Sequence, residues 1–453
     1  MFKQDTSIRP FKDLPLIVLF AKIALPVVLV MGMNGMLSVV DAIFLGMFVG
    51  ADAVGAVTLI FPFMMLITAL AALVGSGMSS LLARYLGAGK RDQARTVFAG
   101  AHGLSLLIGA MVIIAFVLFG QSVMAIAAGD NPALKVMAYD YLTVMAYGAP
   151  LMLLLAVNSD TLRNEGRAGL MAVMSLFVTL ANIALNWVLI AKLGLGVSGS
   201  ALGTVGAQVL ALLIVTTFRL WGKTQFRPGC LLKCGITGGW RDIIVLGVPT
   251  SLSMLGIAMG AGAVIAVLQI VDVAQYASTV AAYGIITRIM TFAFLPVLAL
   301  AQALQSITGH NYGAGDWQRA NDSLKLGIGI AFGYCLLSEL VLVFGARPLG
   351  LMFVDDPLVI AEVERILPVV TIAFFLVGPL MMVASYFQAI GDAGRAALLN
   401  LAKPYAFALP LTFVLPQLMG EPGIWLARPA AEVMLLVLTG LVLLMRYRVR
   451  RPV

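Results

Sequence analysis

Residues 83–95 read "ARYLGAGKRDQAR", and residues 309–321 read "GHNYGAGDWQRAN". Their shared GAG elements begin at Gly87 and Gly313, 226 positions apart, which is half the length of this 453-residue chain. Other pairs keep nearly the same spacing and the same order. "AVGA" at 53–56 faces "TVAA" at 279–282, and "EGRAGL" at 165–170 faces "AGRAAL" at 393–398. "GVSGSALG" at 196–203 faces "GEPGIWLA" at 420–427, and Pro26 and Pro249 stand in the first helix of each half. Matches at similar offsets, in order, mean that one unit has been used twice.

Composition says what kind of unit it is. The chain is 61% hydrophobic and 11% charged, with a mean hydropathy of +1.02. Soluble domains are usually about 45–50% apolar and about 25% charged. Apolar stretches of roughly 20 residues, enough for a helix to cross the hydrocarbon, recur along the length. The ~10-residue alternation of a membrane barrel is missing. The expected fold is therefore an all-α polytopic membrane protein. Apolar runs between Gly, Pro and charged breaks predict twelve transmembrane helices near 14–47, 53–83, 93–119, 136–160, 167–192 and 199–220, then 241–268, 278–308, 318–344, 364–391, 395–417 and 423–446. This gives two homologous six-helix lobes, 1–220 and 241–453, joined by a basic linker, 221–240. Six spans is an even number, so both lobes enter the membrane from one side. A parallel repeat of this kind suits a central cavity between the lobes.

Lys and Arg set the orientation. The even-to-odd loops and the termini carry Arg84, Lys90, Arg91, Arg95, Arg163, Arg167, Arg219, Lys223, Arg227, Lys233, Arg241, Arg319, Arg395 and the tail "RYRVRR". The other loops carry Lys135, Lys192, Arg347 and Arg365. Both termini are expected in the cytoplasm of a multi-pass cell (inner) membrane protein. The net charge of +8 follows from this asymmetry and calls for no nucleic-acid partner. The polar start shows no cleavable signal peptide. Cys230 and Cys234 have CxxxC spacing but no companion ligands, and Cys335 is a small apolar residue of a span, so neither a metal nor a disulfide framework is expected.

The polar residues inside the spans carry the chemistry. Asp41 is the one charged residue between Ala24 and Val49, and a charge at that depth costs roughly 2.5–3.5 kcal/mol on insertion scales. Asn34 lies two turns earlier, with Ser38 between. In the fifth span Thr179, Asn182 and Asn186 form one stripe, and in the sixth Thr204 and Gln208 are one turn apart. Asn158 lies in the fourth. Such stripes must face protein or water and should converge inside the N-terminal lobe. At the matching C-terminal positions stand Val267, Pro410 and Val414, so the cluster is not a packing requirement of the six-helix unit. Of the other charges, Glu339 is expected near the outer end of the ninth helix, Asp272 and Asp392 near helix ends, and Arg428 with Glu432 as an i, i+4 ion pair. Arg288 and Lys403 also belong to the C-terminal lobe.

The ordered motifs "GAGKRDQA", "NEGRA", "GVSGSALGT", "YGIITRIM…PVLALAQALQSITGHNYGAG" and "GDAGRAA" resemble those of the MATE family, the multidrug and toxic compound extrusion transporters. His310 stands where that family more often has Gln. The resemblance covers nearly the whole chain. It implies an ion-driven antiporter that exports amphipathic, often cationic compounds, drugs or toxic metabolites, by alternating access. In the DinF-type and archaeal branch, which this chain resembles most, an aspartate on the first helix is the coupling carboxylate. Asp41, Asn182 and Thr204 fall on that pattern, and Asn186 stands where the archaeal pattern has a second aspartate. With one acid, H+ is the expected coupling ion ahead of Na+, with no other cofactor. Met33, Asn34, Phe61, Met64, Met65, Asn158 and Met290 are candidate substrate-contacting residues, since thioethers and rings adapt to varied apolar shapes. A lipid-linked precursor flippase of the wider superfamily is the alternative, but it favours fourteen spans and a cationic cavity. An enzyme is not expected: there are two histidines, no nucleophile elbow and no phosphate loop. A monomer in the bilayer is expected.

Overall fold

The computed structural model describes residues 11, 13–128, 131–222, 224–271 and 275–449. Asp272 and Lys223 lie outside them. The described residues form helices and turns without a strand. The first six long helices are α1 (Leu16–Phe48), α2 (Ala51–Gly87), α3 (Arg91–Ala128), α4 (Pro132–Asn164), α5 (Ala168–Asn186, continued by a π-helix at Trp187–Lys192) and α6 (Gly196–Trp221). After a short helix at Gly229–Lys233 come α7 (Trp240–Ile270), α8 (Tyr276–Gly313) and α9 (Trp317–Phe344). Then α10 runs as two pieces, Pro357–Thr371 and Phe374–Ile390, bent by 43°. α11 covers Ala393–Leu401, a π-helix at Ala402–Ala408 and Leu409–Met419, and α12 is Glu421–Val449. Eleven of these are long and apolar enough to cross a membrane, and the bent pair makes a twelfth.

The repeated motifs fold as repeated turns. At the end of α2, Lys90 N–H donates to Tyr85 O at 2.9 Å and Gly89 N–H to Leu86 O at 3.1 Å. At the end of α8, Asp316 N–H donates to Asn311 O at 2.9 Å and Gly315 N–H to Tyr312 O at 3.1 Å. The same pair of bonds closes α4 around Gly166 and α10 around Gly391. Each satisfies carbonyls that the helix end would leave orphaned, and each needs one left-handed residue. That residue is a glycine every time, with φ of 73° at Gly89 and 81° at Gly315.

The linker does not hang free. Phe226 is buried with its ring 5.1 Å from that of Phe98 on α3. Trp240 Nε1 donates to Gly100 O at 2.8 Å. The first turns of α7 press on α2: a Cβ at Gly247 would stand 1.8 Å from Leu73 O. The compact units are accordingly Met1–Ser251 and Leu252–Val453, and the boundary between them falls inside α7.

Two breaks were not in the sequence reading. α10, expected as one span over 364–391, begins earlier and bends beside Pro368 and Pro379. The freed backbone N–H of Phe375 is met by Glu339 Oε2 at 2.8 Å, so this carboxylate caps a helix start within the fold. In α11, Pro404 has no N–H to give, and the turn widens to a π-helix. That widening corrects a second expectation. Glu432, 2% exposed, forms its ion pair with Lys403 of the π-helix and not with Arg428 on its own helix. Asp392 stands at a helix start as expected, capping α11 through Arg395 N–H at 3.2 Å.

Gly89→Ala and Gly315→Ala should each destabilise the protein by about 1–2 kcal/mol, the cost of an L-residue in left-handed backbone. Both added Cβ atoms point into open space, so the effects should match and add in the double variant. Thermal unfolding in detergent measures this; a neutral double variant would contradict it.

Candidate functional site

Asp41 lies on α1, one turn before Leu45, whose side chain is buried in the apolar cluster with Ala53, Ile60, Tyr141 and Ile190. α1 packs along α5, and α5 along α6. Asn182 and Asn186 are one turn apart on α5 and fully buried. Asn186 Nδ2 donates to Asp41 Oδ1 and, at 3.0 Å, to Asn182 Oδ1. Asn182 Nδ2 donates to Thr204 Oγ1 on α6 at 3.2 Å. The Asn182 amide fits better turned over: its nitrogen then donates to Asp41 Oδ1 at 3.1 Å, and its oxygen accepts from Thr204 N–H and Oγ1 at 3.2 Å. All four residues predicted from spacing on three helices therefore meet in one hydrogen-bonded set.

Gly203 makes the meeting feasible. A Cβ there would stand 2.1 Å from Asn186 Oδ1. That oxygen is buried and accepts no hydrogen bond among the described residues. Asn186 is also the last α-helical residue before the π-helix of α5. The sequence reading missed both features, although "GSALGT" places Gly203 directly before Thr204.

The candidate substrate contacts divide. Met33 is half-buried and Asn34 exposed on α1, two turns before Asp41. On α2, Phe61 is exposed and Met64 and Met65 are half-buried, with Met64 packed on the same apolar cluster as Leu45. None of these joins the hydrogen bonds of Asp41. Met290 is 3% exposed, packed in the apolar core of the second unit with Val267, Ile286 and Trp425. Asn158 also sits elsewhere. Its Nδ2 lies 3.1 Å from His102 Nε2 and its Oδ1 accepts from Arg219 Nε at 3.0 Å. Arg219 continues to Glu165 at 3.4 Å and to Phe226 O at 3.2 Å. Asn158 thus belongs to a buried network that fastens the linker. From sequence, these partners lie 56 and 61 positions away, with no periodicity to flag them.

The C-terminal positions that match the site are apolar in space as well as in sequence. Val267 is core, and Pro410 and Val414 are exposed on α11. Among the described residues no group of three or more His, Cys, Asp or Glu side chains gathers as metal ligands would.

The family model MatE matches twice, over residues 26–188 and 249–414, once in each repeat. This chain belongs to the MatE family. Its members are transporters, so this multi-pass membrane protein is not an enzyme. It is 26% identical over 407 residues to the FAD transporter of Shewanella oneidensis, covering 88% of both chains. It is 24% identical over 451 residues to the multidrug export protein MepA of Staphylococcus aureus, covering 98% of this chain and 97% of that one. Among solved structures, a multidrug resistance MATE family transporter in an outward-facing conformation matches with a TM-score of 0.87 and 23% identity over 98% of each chain. The all-α fold of this MATE protein is thereby the fold of that structure.

Gly203→Ala should push Asn186 out of reach of Asp41 and cut transport by about tenfold or more at unchanged expression. Gly206→Ala on the same helix meets only Leu185 Cδ1, at 3.1 Å, and should keep most activity. Efflux assays of the two variants side by side measure the difference; equal activity would mean that the Asn186 contact is dispensable.

Proposed function

We propose that this MATE protein is a proton-driven antiporter that exports amphipathic small molecules, drugs or toxic metabolites, cationic ones included, by alternating access. The observation that carries the reading is the lone carboxylate of Asp41, set on Asn186, Asn182 and Thr204. Ionised, Asp41 accepts from Asn186 and, with the Asn182 amide turned over, from Asn182. Protonated, it presents a donor where an acceptor stood, and the amides must turn to meet it. Asn and Thr can serve both states because each can donate and accept. The Asn182 amide, which fits in two orientations, is suited to that exchange. Because the set joins α1, α5 and α6, the proton alters how three helices hold each other.

A sodium ion is the weaker fit. Hard cations prefer oxygen ligands, and here a single carboxylate offers charge while Asn186 stands beside it as an amide. The orphaned Asn186 Oδ1 and Thr204 Oγ1 supply neutral oxygens only. One aspartate on α1 also supports a DinF-type branch for the protein. The distribution of Lys and Arg supports cytoplasmic termini and a cell-membrane location, and the protein is taken to act as a monomer.

Asp41→Asn should leave the protein in the membrane and abolish ion-driven efflux from everted vesicles. A pH gradient, acidic on the outer face, should drive export by the native protein without sodium. Efflux that requires sodium and ignores the pH gradient would overturn the proton reading. Asn186→Asp adds the second carboxylate, and it should strengthen sodium binding, read as a shift of the melting temperature with NaCl but not with choline chloride.

A further inference from the structure

A hydroxyl inside a span has a ready partner in the carbonyl one turn back. Thr161 donates to Val157 O at 2.7 Å, Thr371 to Leu367 O at 2.8 Å and Thr439 to Leu435 O at 2.7 Å. Ser200 on α6 does not follow them. It is fully buried, and its Oγ has no hydrogen-bond partner among the described residues. Two more buried oxygens in this part of the first unit share that state. They are Gln208 Oε1 on the same helix and Asn186 Oδ1 on α5.

The contact between α5 and α6 brings Ser200 and Asn186 to one place. The two helices meet across two glycines of α6. A Cβ at Gly199 would stand 3.1 Å from Leu189 O in the π-helix, and one at Gly203 would stand 2.1 Å from Asn186 Oδ1. Ser200 follows Gly199 and lies one turn before Gly203, and Cβ positions three residues apart on a helix are about 5–6 Å from each other. The hydroxyl of Ser200 and the carbonyl of Asn186 therefore border the same patch of α6. Thr204, one turn after Ser200, borders it too and carries the bond to Asn182 at 3.2 Å. Ser200, Thr204 and Gln208 repeat at four-residue spacing, so one face of α6 is a polar line with the Asp41 set at its middle.

Buried oxygens without a protein partner are where buried water is held, and such a water makes about three hydrogen bonds. Ser200 Oγ, Asn186 Oδ1 and Thr204 Oγ1 are a set of that size. A hydroxyl both donates and accepts, so it can take a proton on one side and release another on the other. With the termini cytoplasmic, α6 starts at the outer face, where residues 192–195 are exposed. Ser200 is four residues past the helix start at Gly196, and Thr204 is eight past it. At 1.5 Å per residue they lie about 6 Å and about 12 Å inward, so Ser200 stands between the outer face and the Asp41 set.

We propose that Ser200 is the outer proton-relay residue of Asp41, acting with one water held between its Oγ and Asn186 Oδ1. A hydronium at the outer face gives a proton to a Ser200 lone pair as the Ser200 O–H proton passes to the held water. That water passes one of its own protons to the Asp41 carboxylate. The hydronium becomes water, Ser200 and the held water end with the protons they began with, and Asp41 gains one. The relay rests on the proton-driven reading. Other ionisable groups on the surrounding helices are Tyr141 of α4, in the apolar cluster of Leu45, and the exposed Asp52 of α2, Asp140 of α4 and Lys192 of α5. All of them are common to the native protein and a Ser200 variant, so a difference between the two reports on Ser200.

Uptake of rhodamine 6G into everted vesicles tests the relay, because the lumen is then the outer face. Lumen pH is varied at constant bath pH. Ser200→Ala should need about tenfold more lumen protons, one pH unit, to reach the native rate, with the dye concentration for half-maximal uptake unchanged. Ser200→Gly leaves room for a second water in place of the hydroxyl and should recover most of the loss. Removing a hydroxyl that has no protein partner costs little stability, so Ser200→Ala should fold, and its unchanged half-maximal dye concentration verifies this. Superimposable lumen-pH curves for the native and Ala proteins overturn the relay and leave the proton-driven reading intact. A loss of uptake that lumen acid does not restore makes Ser200 a packing residue and also overturns the relay. Native uptake indifferent to lumen pH removes the proton-driven reading, and the relay falls with it.

Discussion

Hydrocarbon supplies no hydrogen-bonding partner, so each polar group along these helices has to be satisfied from within the protein. The structure obeys this in detail. Asp41 is met by Asn186, Glu432 by Lys403, and Glu339 by the N–H of a broken helix. Arg219, buried at the end of α6, reaches Asn158, Glu165 and the carbonyl of Phe226. The groups that escape the rule stand out against it. They include the Asn186 carbonyl beside Asp41, the hydroxyls of Ser105 and Ser200 and the side-chain carbonyl of Gln208, none of which has a hydrogen-bond partner among the described residues.

The two repeats share a frame and differ in chemistry. Their glycine turns close with the same bonds at nearly the same lengths. Yet the position of Asp41 is matched by buried Val267, and the positions of Asn182 and Asn186 by exposed Pro410 and Val414. The repeat counterpart of Thr204 is Arg428, and that of Gln208 is Glu432. Duplication supplied one scaffold twice, and its two copies now carry different side chains at matching positions.

The frame and the polar cluster around Asp41 were legible in the sequence because both follow helical periodicity. Twelve spans came from apolar runs, and Asn182, Asn186 and Thr204 from residues spaced by whole turns. Features that depend on a departure from that periodicity were not legible. Arg428 and Glu432 look paired on an ideal helix, but the π-helix around Pro404 brings Lys403 to Glu432 instead. The bend in α10 hides in a continuous apolar run. Met290 and Asn158 belong to the right helices, but which side of a helix meets the core is set by tertiary neighbours such as Val267 or His102. Gly203 matters through empty space, and no propensity scale records a missing Cβ.

The fastening of the linker has a consequence for how the chain is made. Arg219 and Glu165, each 2% exposed, enclose one another only when Phe226 supplies its carbonyl and Gln225 its N–H. Further on, Trp240 and the first turns of α7 cover the glycine faces of α2 and α3. A nascent chain that has inserted six helices therefore still carries a buried-charge network waiting for its last partners. The first half becomes self-sufficient only after the start of the second has been synthesised, so a gene divided at the repeat junction would yield a front piece with an unfinished seam.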